Sequence, residues 1–176
     1  MSPSASSSAS SATPRVGILM GSDTDLKVME RTAAQLSQFG IPYEIDIISA
    51  HRSPQRTAEY ARNARGRGLR VLIAGAGASA ALAGALAAET TLPVIGVPLA
   101  TSPLSGFDAL LSTAMLPAGV PVATVAVGEA GATNAAVLAA QILALSDDIL
   151  AAKLVEYKLE LERKVTEKSA RLAASR

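Results

Sequence analysis

Short apolar runs alternate with segments whose apolar positions recur every three or four residues, and this alternation extends from residue 15 to residue 145. Residues 15–20 make the first run, uninterrupted by a polar position after Arg15, which is the pattern of a strand buried on both faces. Gly21 closes it, and a helical pattern follows over residues 24–39 until Gly40 and Pro42 stop it. The same reading predicts strands over residues 43–48, 69–74, 93–97 and 122–127, and helices over 54–67, 79–89, 106–114 and 132–145. Strands alternating with helices imply βαβ units, right-handed crossovers and an α/β fold: a three-layer parallel sheet, flavodoxin-like or Rossmann-like. Beyond Ser146 the pattern becomes one long charged helix, apolar at Leu150, Leu154, Tyr157, Leu161 and Val165. Such a helix packs on its own domain or reaches a neighbouring subunit, and the Ala-rich surfaces elsewhere favour the second.

Composition narrows this picture. With 49% hydrophobic and 18% charged residues in 176, the chain suits one globular domain with a sizeable core. That domain is expected over residues 14–176, with a C-terminal helical arm at 147–173. Residues 1–13 form a Ser/Ala tract without basic residues or an apolar stretch, so they read as a disordered tail and not as a signal peptide. Residues 71–88 carry no charge and reach membrane-spanning length, but their Ala/Gly content and flanking alternation favour a buried strand and helix. A formal charge of +1 and an aromatic content of 3% argue against nucleic acid or a membrane surface as partner. A cytoplasmic location is expected. The chain has no Cys, which excludes disulfides and thiolate catalysis, and a single His leaves little for a transition metal, so no transition-metal site is expected.

In open parallel sheets, ligands bind beyond the C-terminal ends of the strands, so the chemistry is sought in those loops. The first, Gly21-Ser22-Asp23-Thr24-Asp25, combines a sharp turn, two hydroxyls and the start of a helix whose free N–H groups suit an anion. Asp25 suits ribose hydroxyls, which need an acceptor; equally, Asp23 or Thr24 could only cap the helix. The string is neither G-x-G-x-x-G nor a Walker loop, which disfavours a dinucleotide or triphosphate. The second loop, Ser49-Ala50-His51-Arg52, holds a hydroxyl, a guanidinium able to fork onto phosphate, and the one histidine of the chain. Imidazole has an unperturbed pKa of about 6.5, so any imidazole acid–base chemistry here falls to His51. The third loop, Gly75-Ala76-Gly77-Ala78-Ser79, lets backbone amides approach a ligand or lets strand and helix pack tightly.

Assembled in order, these motifs resemble the 5-(carboxyamino)imidazole ribonucleotide mutase family of purine biosynthesis. The resemblance also takes in residues 92–98, the stretch from Met115 to Thr124, and Gly131-Ala132-Thr133-Asn134, in one register over residues 15–150. It implies an isomerase that moves a carboxyl group from the exocyclic nitrogen to ring carbon 4 of a small ribonucleotide, within IMP biosynthesis. The reaction would run by decarboxylation and recarboxylation without a cofactor, in a homo-octamer. It implies His51 as proton shuttle and Ser22, Asp25 and Arg52 as substrate-binding residues, with Ser49, Thr24, Ala50, Gly75 and Gly77 in support. Ser-Ala-His-Arg is the mutase form of the second motif, whereas a related carboxylase using free CO2 tends to carry Lys after the His. One departure stands out. The family commonly reads Gly-Ala-Ala-His-Leu-Pro-Gly where this chain has Ala78-Ser79-Ala80-Ala81-Leu82-Ala83-Gly84, so Ala81 replaces a histidine and Ala83 a proline. Two other readings therefore stay in view: the free-CO2 carboxylase, and a ribonucleotide-binding paralogue without turnover.

Overall fold

The computed structural model describes residues 13–175. The expected tail, residues 1–13, lies outside the described residues except for Thr13. Strand β1 (Val16–Met20) leads through a 3-10 turn (Asp23–Asp25) into α1 (Leu26–Phe39), followed by β2 (Tyr43–Ile47) and α2 (Pro54–Ala64). Next come β3 (Val71–Gly77), α3 (Leu82–Glu89), β4 (Val94–Leu99), α4 (Phe107–Ala114), β5 (Ala123–Thr124), α5 (Glu129–Ala144) and α6 (Asp148–Ala174). All neighbouring strands pair in parallel, in the order β2-β1-β3-β4-β5. This is the flavodoxin-like order expected of the alternating pattern.

The period of two along each strand divides the core into two layers. Val16, Ile18 and Met20 of β1, with Val71 and Ile73 of β3, face α1, α5 and the start of α6. Leu19, Leu72 and Ala74 face the other way, onto α2 and α3. On α5 the buried positions are Gly131, Ala132, Ala135, Ala136, Ala139, Ala140 and Leu143, a stripe of mostly alanine at helical spacing that lets α1 come close. Thr32 Oγ1 of α1 accordingly donates to the Ala132 carbonyl at 2.8 Å.

Several boundaries differ from the sequence expectation, and three of the differences have a clear local reason. Strand β3 runs on through Gly77, because Gly75, Ala76 and Gly77 pair with Val97, Pro98 and Leu99 of β4. Helix α3 then starts at Leu82 instead of residue 79, after Ala78 has turned the chain in the left-handed region at φ 48°. Strand β5 keeps only two of its expected six residues. Pro98 presents its carbonyl to Gly128 N on that side but has no N–H to give, so the β4–β5 ladder ends there.

Helix α6 is anchored only at its beginning. Asp147 caps it, accepting from Leu150 N at 3.1 Å, and pairs with Arg15 at 3.0 Å. Lys153 Nζ donates to the Phe39 carbonyl at the end of α1 at 2.9 Å, and the Tyr157 ring meets Phe39 edge-on with centroids 5.3 Å apart. From Glu162 to Ser175 every residue is exposed. Within the single chain, then, the first half of the helix packs on its own domain and the second half stands free.

Candidate active site

The order of the strands reverses between β1 and β3, and the crevice at that reversal is where an open α/β sheet accepts a ligand. A cavity of about 460 Å³ opens there, lined from four successive strand ends. The loop after β1 supplies Gly21, Ser22, Thr24 and Asp25, and the loop after β2 supplies Ser49, Ala50, His51 and Arg52. The end of β3 and the residues beyond it contribute Ala76, Gly77 and the stretch from Ser79 to Leu82, and Thr101 follows β4.

Each polar group is held by its own segment. Ser22 caps the 3-10 turn: its N–H donates to Asp25 Oδ2 at 3.1 Å, and its hydroxyl oxygen accepts from Thr24 N at 3.4 Å and Thr24 Oγ1 at 3.1 Å. The capping residue is therefore Ser22, not Asp23 or Thr24. Asp25 is buried, and burial pushes its carboxyl above the ordinary value, while backbone hydrogen bonds from Ser22 and Gly21 and the charge of Arg52 pull it back. A carboxylate already desolvated gains most from two donors such as vicinal ribose hydroxyls.

Arg52 spans the cleft. Its Nη2 donates to the Gly21 carbonyl at 2.8 Å and its Nε to Ser49 Oγ at 3.3 Å, tying the loop after β2 to the loop after β1. Ser49 Oγ also accepts from Arg52 N at 3.2 Å, and Ser53 Oγ donates to the Ser49 carbonyl at 2.9 Å, so this loop is a closed turn ahead of α2. His51 sits exposed at its apex.

Eight of the nine expected site residues, all but Gly75, line this one cavity. Gly75 is the exception: it does not line the cavity, and a Cβ there would lie 2.4 Å from the Met29 sulfur. Its lack of a side chain serves the packing of α1 on β3, and its carbonyl accepts from Gly21 N at 3.3 Å. Ala81 stands in the cavity wall, whereas Ala83 is buried in the core against the space above Gly96. Ser79 and Thr101 were not singled out from the sequence, although Thr101 follows the strand-end rule applied to β4. Among the described residues no cluster of His, Cys, Asp or Glu could hold a metal. A larger open groove of about 730 Å³ runs between α6 and the end of α1, lined by solvated charges and by Phe39 and Tyr157, and brings no comparable reactive set together.

The family model described as AIR carboxylase matches residues 15–164. A protein of Thermotoga maritima named N5-carboxyaminoimidazole ribonucleotide mutase is 55% identical over 159 residues, 90% of this chain and 92% of its own length. A Bacillus subtilis protein of the same name is 50% identical over 159 residues, 90% of this chain and 98% of its own. Among solved structures, Treponema denticola PurE superposes with a TM-score of 0.81 at 32% identity, covering 90% of this chain and 98% of its own.

Proposed function

The chain belongs to the AIR carboxylase family, and on that premise we propose that it converts 5-(carboxyamino)imidazole ribonucleotide to 4-carboxy-5-aminoimidazole ribonucleotide, a step of IMP biosynthesis. The observation that carries this reading is the company of His51: one imidazole shares one cavity with a guanidinium, a buried carboxyl and several hydroxyls at the topological switch point.

In this reading Arg52 takes the phosphate and Asp25 the ribose hydroxyls, with Ser22, Thr24 and Ser49 adding hydrogen bonds. The bond between the carboxyl carbon and the exocyclic nitrogen breaks, releasing CO2 inside the cavity. The nitrogen takes a proton from the His51 imidazolium. Ring carbon 4 then attacks CO2, and the hydrogen on that carbon leaves as a proton to the neutral imidazole, which restores the starting state. One carboxyl group has moved and one proton has gone out and returned, so no external acid, base or energy source is consumed. Imidazole is the side chain able to act as both acid and base near neutral pH.

Turnover tests this directly. Purified protein fed the N-carboxylated ribonucleotide should form the C-carboxylated product, whereas the decarboxylated ribonucleotide with bicarbonate should be the poorer substrate. Preference for the second pair makes the chain a carboxylase; binding without turnover makes it a ribonucleotide-binding paralogue. His51→Asn should abolish product formation while leaving binding, and full activity in that variant removes the proton shuttle.

No helix among the described residues is long and apolar enough to cross a membrane. We further infer a cytoplasmic homo-oligomer, an octamer by family resemblance. Exposed Leu104, Phe107, Leu111 and Met115 on and beside α4, and Val155, Leu159 and Val165 on α6, support self-association. A monomer by light scattering refutes it.

A further inference from the structure

We propose that Thr101 is a substrate-contacting residue whose hydroxyl donates a hydrogen bond to the migrating carboxyl group. The assignment rests on the mutase reading above and adds a residue to it from the fourth strand end.

The stereochemistry of the carbon–carbon step indicates where to look. When CO2 adds to one face of ring carbon 4, the hydrogen on that carbon is displaced to the other face. A base that removes this hydrogen must stand across the ring from the new carboxyl group. With His51 as that base, on the loop after β2, the carboxyl group belongs against the far wall, at the ends of β3 and β4. Strands β2 and β4 are separated by β1 and β3, so their ends lie about 14 Å apart, enough for a ribonucleotide to lie between.

That far wall is mostly apolar, built from alanines, Gly77 and Leu82. Its side-chain polar atoms are the hydroxyls of Ser79 and Thr101, and no protein hydrogen bond engages either among the described residues. Both are open to the cleft, but they are not equivalent. Ser79 follows the left-handed Ala78 on a bend. Thr101 is seated: its N–H donates to the Leu99 carbonyl at 3.0 Å, a tight turn that folds its side chain back over β3. A Cβ on Gly77 would fall 1.7 Å from Thr101 Oγ1 and 2.9 Å from Thr101 Cβ. The hydroxyl thus fills the space that a side chain at position 77 would take. Gly77 serves the site by holding Thr101 in place, and a donor fixed before the reaction stabilises negative charge on the carboxyl oxygens without having to reorganise.

The test compares wild type, Thr101→Val, which keeps the shape and the methyl contact on Gly77, and Thr101→Ser, which keeps the hydroxyl. Steady-state turnover of the N-carboxylated ribonucleotide is measured together with the share released as decarboxylated ribonucleotide, which reports CO2 escaping before recarboxylation. The valine variant should lose about 10- to 100-fold in kcat with little change in KM, and should leak a larger share of CO2. The serine variant should stay within a few-fold of wild type. Wild-type kcat in the valine variant, a change confined to KM, or equal impairment of both variants overturns the assignment. An inactive wild type instead refutes the mutase reading, and this inference with it.

Discussion

Arg52 offers the sharpest quantitative test of the site, because its donors can be counted. A guanidinium carries five N–H groups. Two are engaged within the protein, one from Nη2 to the Gly21 carbonyl at 2.8 Å and the Nε–H to Ser49 Oγ at 3.3 Å. Three remain for a phosphate, enough for a two-pronged contact. Hydrogen bonds to charged groups contribute about 1.5–3 kcal/mol each, so losing even one corresponds to about 10- to 100-fold in binding. Arg52→Ala removes the fork and the strap together and should raise KM at least to that extent. Arg52→Lys keeps a point charge but cannot fork while holding both loops, so it should fall between the two. The decisive arm uses the ribonucleoside without its 5′-phosphate. On that substrate wild type and Arg52→Lys should have similar KM values, because the contact that distinguishes them is missing. Steady-state kinetics at two salt concentrations reads all of this, with the wild-type advantage shrinking at high salt. An unchanged KM for the phosphorylated substrate in Arg52→Ala refutes the phosphate assignment.

Two further predictions concern buried residues. Asp25 has a folded pKa raised by burial, so its contribution to stability is full below the ordinary carboxylate value and is lost as pH rises through the folded value. Asp25→Asn should therefore gain stability over wild type as pH rises from acid to neutral, while losing substrate affinity; a difference in urea midpoint that is flat with pH contradicts this. Gly75→Ala forces a methyl to within 2.4 Å of the Met29 sulfur and 2.9 Å of its Cγ, overpacking that should cost about 1–3 kcal/mol. Combined with Met29→Ala, which alone should cost about 2–5 kcal/mol, the loss should be clearly less than the sum, because the new methyl enters the vacated space. Additive denaturation energies at fixed protein concentration remove that account.

Much of the fold was legible because the signals were redundant. β1 is apolar at every position from Val16 to Met20 and buried at every one, and Gly40, read as the stop of α1, does follow its last residue, in the left-handed conformation. Pro54 opened α2 where expected. Boundaries moved where a partner strand decided them: β3 gained three residues from pairing with β4, and β5 lost most of its length to the missing N–H of Pro98. Neither effect is local in sequence. That eight of the expected residues share one cavity was legible for the same reason as β1, since each of the first two loops joins a strand end to a helix start within a short stretch of chain.

Gly75 and Gly77 mark where such reading stops. Both precede a helix and both suit a ligand-facing backbone, and nothing in Gly75-Ala76-Gly77 separates them. The lengths of the flanking strands do. Residues two apart on a strand share a face, so the pleat alone would give the two glycines the same neighbours. But β1 ends at Met20, opposite Gly75, and α1 covers the sheet at that level with Met29. Two residues further along, β1 has ended while β4 continues to Leu99, opposite Gly77, and the turn beyond it brings Thr101 over the same face. The first glycine is closed by Met29 of the core and the second by Thr101 at the cavity edge. It follows that the end of β4 borders the same cavity as the loops that carry His51 and Asp25.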